Sequence, residues 1–197
     1  MSRYAGTDKY TYPDSGVLIN KADIRDQAAL DAFEADATSV RLLELHEQPI
    51  DGKFDLEHLC AIHRHLFQDV YEWAGETRTI DISKGTSRFA NWPLIDSYLG
   101  KQLAALTNEK FLRSLPPEQF IERLAHTMAE INATHPFREG NGRVQRAFCA
   151  QLADRAGYFI DFADVESDEM IGAMIASFHG DNQRLVALLN RITAILE

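Results

Sequence analysis

Twelve consecutive residues, His135-Pro136-Phe137-Arg138-Glu139-Gly140-Asn141-Gly142-Arg143-Val144-Gln145-Arg146, combine a base, a carboxylate, two glycines and a pair of arginines three apart. Such a set suits a nucleoside triphosphate that is held with a metal and attacked at one of its phosphates. The glycines let several backbone N–H groups turn toward one anion. A helix predicted to start near Gly142 adds its unpaired N–H groups and its positive end. Arg143 and Arg146 fall on one face of that helix. A single phosphate would not need so many donors, so the site reads as one for a polyphosphate.

Glu139 is the carboxylate within the loop. Beside a triphosphate its natural partner is Mg²⁺, which takes one or two carboxylates plus phosphate oxygens and waters. The ordinary alternative is a favourable charge at a helix start. His135 titrates near neutrality and can accept a proton from an incoming hydroxyl. For an isolated histidine a core or capping role comes first, and His46, His58, His63, His65, His126 and His179 take that reading. Phe137 is the apolar anchor of the loop. Asn141 can donate to a phosphate oxygen and accept from a backbone N–H. Arg138 is read as pointing to solvent.

Seven helices are predicted to carry this loop. Asp23 to His46 has Leu30, Phe33, Ala37, Val40 and Leu43 at helical spacing, and Asp55 caps a second helix striped by Leu56, Leu59, Ile62, Leu66 and Phe67. Ile95 to Ala105 is a third. Ser114-Leu115-Pro116-Pro117 starts a fourth, which runs to about Asn132, and a fifth runs from about Gly142 to Ala156, closed by Gly157. Glu166 to Phe178 and Asn182 to Leu196 complete the set. The alternating Thr77-Arg78-Thr79-Ile80-Asp81-Ile82 reads as a short strand, with a turn at 83–87 and a return strand over Arg88-Phe89-Ala90. Residues 1–21 read as irregular. The class is mostly α with one β-hairpin.

The 197 residues, 45% hydrophobic, suffice for one domain over 1–197, and the formal net charge of −10 argues against a broad grip on nucleic acid. Cys60 and Cys149 lie in helical apolar stretches and read as reduced core thiols. The first nine residues carry no apolar signal region, and no run is long enough to span a membrane, so a cytoplasmic location is expected.

The twelve residues match at every fixed position the Fic signature, His-x-Phe-x-(Asp/Glu)-Gly-Asn-Gly-Arg-x-x-Arg, and the chain resembles the Fic family from about Tyr10 onward. Ile82 to Asn91 is similar to the family's flap hairpin. Ile62 to Phe67 and Tyr71-Glu72-Trp73-Ala74-Gly75 are similar to its preceding helix and loop. The resemblance implies a Fic fold and protein adenylylation, the movement of AMP from ATP to a Ser, Thr or Tyr hydroxyl of another protein. It implies His135 as base and Glu139 as the Mg²⁺ ligand. Gly140, Asn141 and Gly142 would form the anion hole, and Arg143 and Arg146 would hold the β- and γ-phosphates. Lys84 and Gly85 would lie at the nucleotide. The flap, Ser83, Lys84, Gly85, Thr86, Ser87, Arg88 and Phe89, would pin the target as an added strand. Adenine is placed near Asp181 and Asn182. Gly140 and Gly142 are intact, whereas the kinase-like Doc branch has Ala and Lys there, which favours AMP transfer. Transfer of UMP, GMP, phosphocholine or phosphate on the same fold, or a non-catalytic nucleotide-binding module, are the alternatives.

Many members of that family are restrained by a helix of pattern (Ser/Thr)-x-x-x-Glu-(Gly/Asn), whose glutamate pairs with the second signature arginine, here Arg146. Thr38 and Ser39 are followed four positions later by Leu42 and Leu43, and Thr193 to Glu197 fits only Thr-x-x-x-Glu. The resemblance is therefore to the toxin of a toxin–antitoxin pair, with the glutamate supplied by a separate small protein. Topoisomerase subunits are plausible targets by the same resemblance.

Overall fold

A computed structural model of the chain describes residues 8–85 and 87–196. Its architecture is mostly α. Seven helices are present among the described residues: α1 (Gln27–Glu47), α2 (Leu56–Phe67), α3 (Ile95–Asn108), α4 (Pro117–Thr134), α5 (Asn141–Ala156), α6 (Ser167–Phe178) and α7 (Gln183–Ile192). They are joined by a small hairpin, β1 (Ser83–Lys84) and β2 (Ser87–Arg88), and by a second antiparallel pair, β3 (Tyr158–Ile160) and β4 (Thr193–Ile195).

Helices α4 and α5 form the centre. α2 packs on α5, while α3, α6 and α7 pack on α4. The reason lies in their stripes: Phe120, Leu124, Ala125 and Met128 on α4, and Val144, Phe148, Cys149 and Leu152 on α5, are buried almost completely. Each large apolar side chain so removed from water contributes about 1.5–3 kcal/mol. α4 begins on Pro117 in its first turn, as proline allows. It stops because His135 turns into the left-handed region at φ 48°. α5 starts after Gly140 at φ 80° and ends on Gly157 at φ 93°. The signature loop is thus the short link between the two central helices.

Several expectations need correction. α1 starts at Gln27, not Asp23, because Asp23 is left-handed and Asp26 caps the helix by accepting from Ala29 N. Val40 and Leu43, expected in the core, are exposed, and Glu34 and Thr38 occupy the inner face with Leu30 and Leu45. The segment 77–82 is extended but is not a strand. Arg78 N–H donates to Pro136 O at 2.8 Å and Thr79 N–H to the Tyr10 hydroxyl at 3.1 Å, so its ladder groups are used elsewhere. The alternation was real, with Arg78 and Ile82 turned inward. The last helix ends at Ile192 rather than Leu196, and Thr193–Ile195 pairs with the unforeseen strand Tyr158–Ile160. Residues 8–21 are irregular, as expected, apart from one bridge between Thr11 and Leu18. Asp55 caps α2 as expected, accepting from His58 N at 3.0 Å.

Candidate active site

The signature loop is held from beneath. Phe137 is fully buried and stacks on His63, ring centroids 4.0 Å apart. His63 Nδ1 accepts from Gly75 N–H at 2.8 Å, and its Nε2 lies 3.2 Å from Glu139 O. Burial first, and then the nearby Arg143, push the His63 imidazole down to about 3, so it is neutral. Asn141 Oδ1 accepts from Phe137 N–H at 2.9 Å, and its Nδ2 donates to Phe137 O at 2.7 Å. The side-chain amide expected to reach a phosphate therefore braces the loop, and the backbone N–H is left as this residue's donor for an anion. Arg138 is also buried, not solvent-facing: its Nε donates to Asp8 Oδ2 at 2.7 Å.

The His135 end, where the base is expected, lies against the hairpin. The His135 ring stacks on Phe89 with centroids 3.8 Å apart and planes within 11°. Burial, then the Arg78 guanidinium and the Lys84 ammonium, hold the imidazole well below its usual range. It is a neutral imidazole with a lone pair to offer. Strands β1 and β2 pair Ser83 with Arg88 and Lys84 with Ser87, and Ile82 and Phe89 anchor the hairpin against Ile80 and Phe178. Lys84, Gly85 and Arg88 are exposed on it, and Thr86 lies outside the described residues.

The other end of the loop, expected to meet the phosphates, is the start of α5. Its first turn presents N–H groups without an intrahelical acceptor. Glu139 Oε1 accepts from Gly140 N–H at 3.0 Å. A Cβ on Gly140 would lie 2.1 Å from Phe67 Cζ, so only glycine fits that close approach. Arg143 is already engaged. It is paired with Glu34, donates from Nη1 to Thr38 Oγ1 at 3.0 Å, and lies 4.7 Å over the Phe67 ring. Arg146 is different. It has no hydrogen-bond or carboxylate partner among the described residues, and burial together with Arg143 pushes its guanidinium down. Two close guanidiniums, one unneutralised, favour an incoming polyanion. Arg146 also lines a cavity of about 670 Å³ with Leu42, Leu45, Ala147, Ala150 and Phe159.

Among the described residues no group of three or more His, Cys, Asp or Glu is placed to hold a metal. A cation here would have to share its ligands with phosphate oxygens, and Glu139, in the loop and partly exposed, fits that donor set. Of the remaining histidines, His58 and His63 are buried as expected and His65 is half-buried with Nε2 3.0 Å from Arg41 O, whereas His46, His126 and His179 are exposed and not in the core. Cys149 is buried and Cys60 half-buried, both free. Asp181 Oδ1 accepts from Gln183 N–H at 2.9 Å, and Asn182 Oδ1 is buried with no hydrogen-bond partner among the described residues. Thr193 stands on a strand, so the Thr-x-x-x-Glu segment is not one helical face there, and Glu197 lies outside the described residues.

The sequence reading missed Glu34, Thr38, Arg78 and Asp8. Glu34 and Thr38 had one available signal: they are four apart and in helical phase with Leu30. Nothing local marks the Arg78 bond to His135 O, 57 residues away, or the Asp8 pairing with Arg138, 130 residues away.

A helical bundle whose two central helices are linked by a glycine-rich anion loop, with a base at one end and a hairpin over that base, defines a nucleotide-handling enzyme fold. Residues 53–153 match the Fic/DOC family, and the chain belongs to that family. It is 46% identical over 192 residues to the protein adenylyltransferase VbhT of Bartonella schoenbuchensis, covering 97% of this chain and 40% of that protein. It is 42% identical over 194 residues to the probable protein adenylyltransferase y4lH of Sinorhizobium fredii, covering 98% of this chain and all of that one. The chain thus spans well under half of one relative and the whole of another. The crystal structure of the BepC effector of Bartonella tribocorum with bound AMPPNP superposes with a TM-score of 0.88 at 28% identity, over 95% of this chain and 97% of that one. No helix among the described residues is long and apolar enough to cross a membrane.

Proposed function

We propose that this chain is a protein adenylyltransferase, working as one domain in the cytoplasm, that moves AMP from ATP to a hydroxyl side chain of a target protein. The observation that carries this is the pairing, across one short loop, of a neutral His135 with the N-terminus of α5 and its two arginines. ATP lies with its phosphates over the N–H groups of Gly140, Asn141 and Gly142. Arg143 and Arg146 hold the β- and γ-phosphates. The target segment adds to the flap at 83–89, and Lys84 and Gly85 lie between it and the nucleotide. The target hydroxyl oxygen forms the new bond to the α-phosphorus, the α–β bridge bond breaks, and pyrophosphate leaves. His135 takes the hydroxyl proton, and the adjacent triphosphate charge raises its affinity for that proton. Glu139 would hold Mg²⁺, which when bound neutralises charge on the phosphates. Adenine lies against the later helices, near Asp181 and Asn182.

Incubation of the chain with labelled ATP and cell lysate, beside His135→Ala, tests the proposal. Label on discrete protein bands that vanishes in the variant, while ATP binding persists, is the expected result. Binding without transfer in either protein would leave a nucleotide-binding module. The mass added to the target separates AMP from UMP, GMP or phosphocholine. Topoisomerase subunits are the first targets to test.

The same proposal includes restraint from outside. Arg146 lacks a carboxylate partner among the described residues and faces a largely apolar cavity beside α1 and α5. A small antitoxin helix seated there would place its Ser/Thr-x-x-x-Glu glutamate on Arg146, where the γ-phosphate would otherwise sit. A synthetic helix of that pattern should suppress transfer, and its Glu→Ala form should not.

A further inference from the structure

Among the described residues Arg78 is the largest fully buried side chain, with 1% of its surface exposed. Its guanidinium is placed among main-chain carbonyls. Nε donates to His135 O at 2.8 Å, Nη1 to Ile80 O at 2.5 Å, and Nη2 to both Ala90 O at 2.6 Å and Thr134 O at 3.1 Å. Thr134 and His135 end α4, where carbonyls have no intrahelical donor and the helix dipole is negative. Ile80 and Ala90 are the two legs of the flap, one on each side of β1 and β2.

One side chain therefore ties both legs of the flap to the carbonyl of the base. Two further contacts lie in parallel: Ala90 N–H donates to Ala133 O at 3.2 Å, and Phe89 stacks on the His135 ring. His135 itself sits at φ 48°, a left-handed conformation that is strained for a non-glycine residue. It persists only where its surroundings fix it, and the Arg78 bond to its carbonyl is one such restraint.

We propose that Arg78 is a positioning residue that locks the target-binding flap and His135 into one unit, so that a target strand seated on the flap arrives in register with the base. A guanidinium is suited to this because its planar fork reaches four acceptors at once, whereas an ammonium donates from one point. The four bonds of the Arg78 guanidinium go to the end of α4 and the legs of the flap, away from the N-terminus of α5 and the proposed nucleotide cradle. Among the described residues, the charged groups acting on His135 are Arg78 and, from the flap, Lys84.

The inference rests on the proposed AMP transfer, and the experiment separates the two. Arg78→Gln and Arg78→Lys are compared with the unaltered chain for ATP affinity, transfer rate, pH profile and hydrogen exchange at Phe89 and Ala90. ATP affinity should stay within about twofold, while transfer falls roughly 100-fold, the cost of a small misplacement of a reacting group. Exchange at both amides should accelerate in both variants. The acid limb of the rate profile should move to higher pH in Arg78→Gln, which loses the neighbouring charge, and stay in place in Arg78→Lys. Should the Gln variant not fold, Arg78→Lys decides alone through transfer and exchange. A folded variant with transfer within twofold of normal, or one whose ATP affinity falls in step with transfer, overturns the proposal. If the unaltered chain transfers no AMP, the function reading fails by itself, and exchange at Phe89 and Ala90 still judges Arg78: unchanged exchange rejects it.

Discussion

At the His135 end of the signature loop the side chains are fixed in advance. At the Arg146 end a guanidinium faces a cavity with no carboxylate against it among the described residues. His135 is stacked on Phe89 and tied through its carbonyl to Arg78. Midway between the two ends, Arg143 is held by Glu34 and Thr38. The gradient has a chemical sense. A base must be in the right place when the target arrives, since misplacement costs rate directly. A charge that waits for a polyphosphate gains most if nothing in the protein already neutralises it. Under the proposed function, the same openness would make Arg146 the point for restraint.

The largest test of this contrast is removal of each end in turn. His135→Ala should lower AMP transfer by about 10²–10⁴-fold, the usual worth of a positioned base, with ATP affinity nearly unchanged. Arg146→Ala should do the reverse in emphasis: ATP binding about tenfold weaker or more, as charged hydrogen bonds to phosphate are lost, and a smaller effect on transfer at saturating ATP. Isothermal titration with a non-hydrolysable ATP analogue, beside initial rates, reads both. Equal losses of binding in the two variants would abolish the distinction between the ends.

A second test strains the link between them. Gly140 combines φ 80° with a Cβ position 2.1 Å from Phe67 Cζ. Gly140→Ala should cost about 1–2 kcal/mol for the left-handed backbone and a further 1–3 kcal/mol for the overpacked ring. At roughly 2–4 °C per kcal/mol for a chain of this size, the melting temperature should fall by several degrees at least. Differential scanning calorimetry checks it, and an unchanged melting temperature would mean that the loop is looser than its contacts indicate. Gly142→Ala is the control. It carries no positive φ, and its Cβ would meet only Arg146 Nη1 at 3.3 Å, the flexible end of a side chain.

Much of this molecule was legible from residue order alone, and the exceptions share a cause. Helices α2, α4 and α5 were readable because local signals agreed: a capping Asp55, prolines at 116–117, glycines at 140 and 157, and continuous apolar stripes. The α1 face was misjudged because Glu34 and Thr38 are turned inward by Arg143 and Tyr71, partners more than 30 residues away. Extended chain at 77–82 shows the same periodicity whether it pairs with a strand or with loops, so the pattern could not tell them apart. β3 and β4 were missed because three-residue strands carry little pattern, and β4 continues directly from a helix with no breaker between Ile192 and Thr193. At the site, residue types foretold which side chains cluster. They did not foretell that Asn141 braces the loop, since its amide can serve either purpose.

The smallest effect concerns the histidine beneath the loop. His63 is fully buried between Phe67 and Phe137, and its imidazole is pushed down to about 3 from an ordinary 6.5. Below pH 6.5 the unfolded chain takes up a proton at this residue that the folded chain refuses. The depressed value therefore contributes stability that is fully present above pH 6.5 and is lost as pH falls toward 3. The slope in that window is about 1.4 kcal/mol per pH unit for each such histidine. His58 and His135 are shifted the same way, so they steepen the wild-type slope but are common to both proteins compared. His63→Gln removes one titrating group and loses its ring stacking, which lowers stability at every pH. The quantity to read is therefore the change between pH 7.5 and 5.0, by urea unfolding at each. The unaltered chain should lose about 2 kcal/mol more over that interval than His63→Gln does, from 1.5 pH units below the ordinary value. Parallel losses would mean that His63 is reached by solvent in the folded state, and the floor under the phosphate end would then be as open as the cavity beside Arg146.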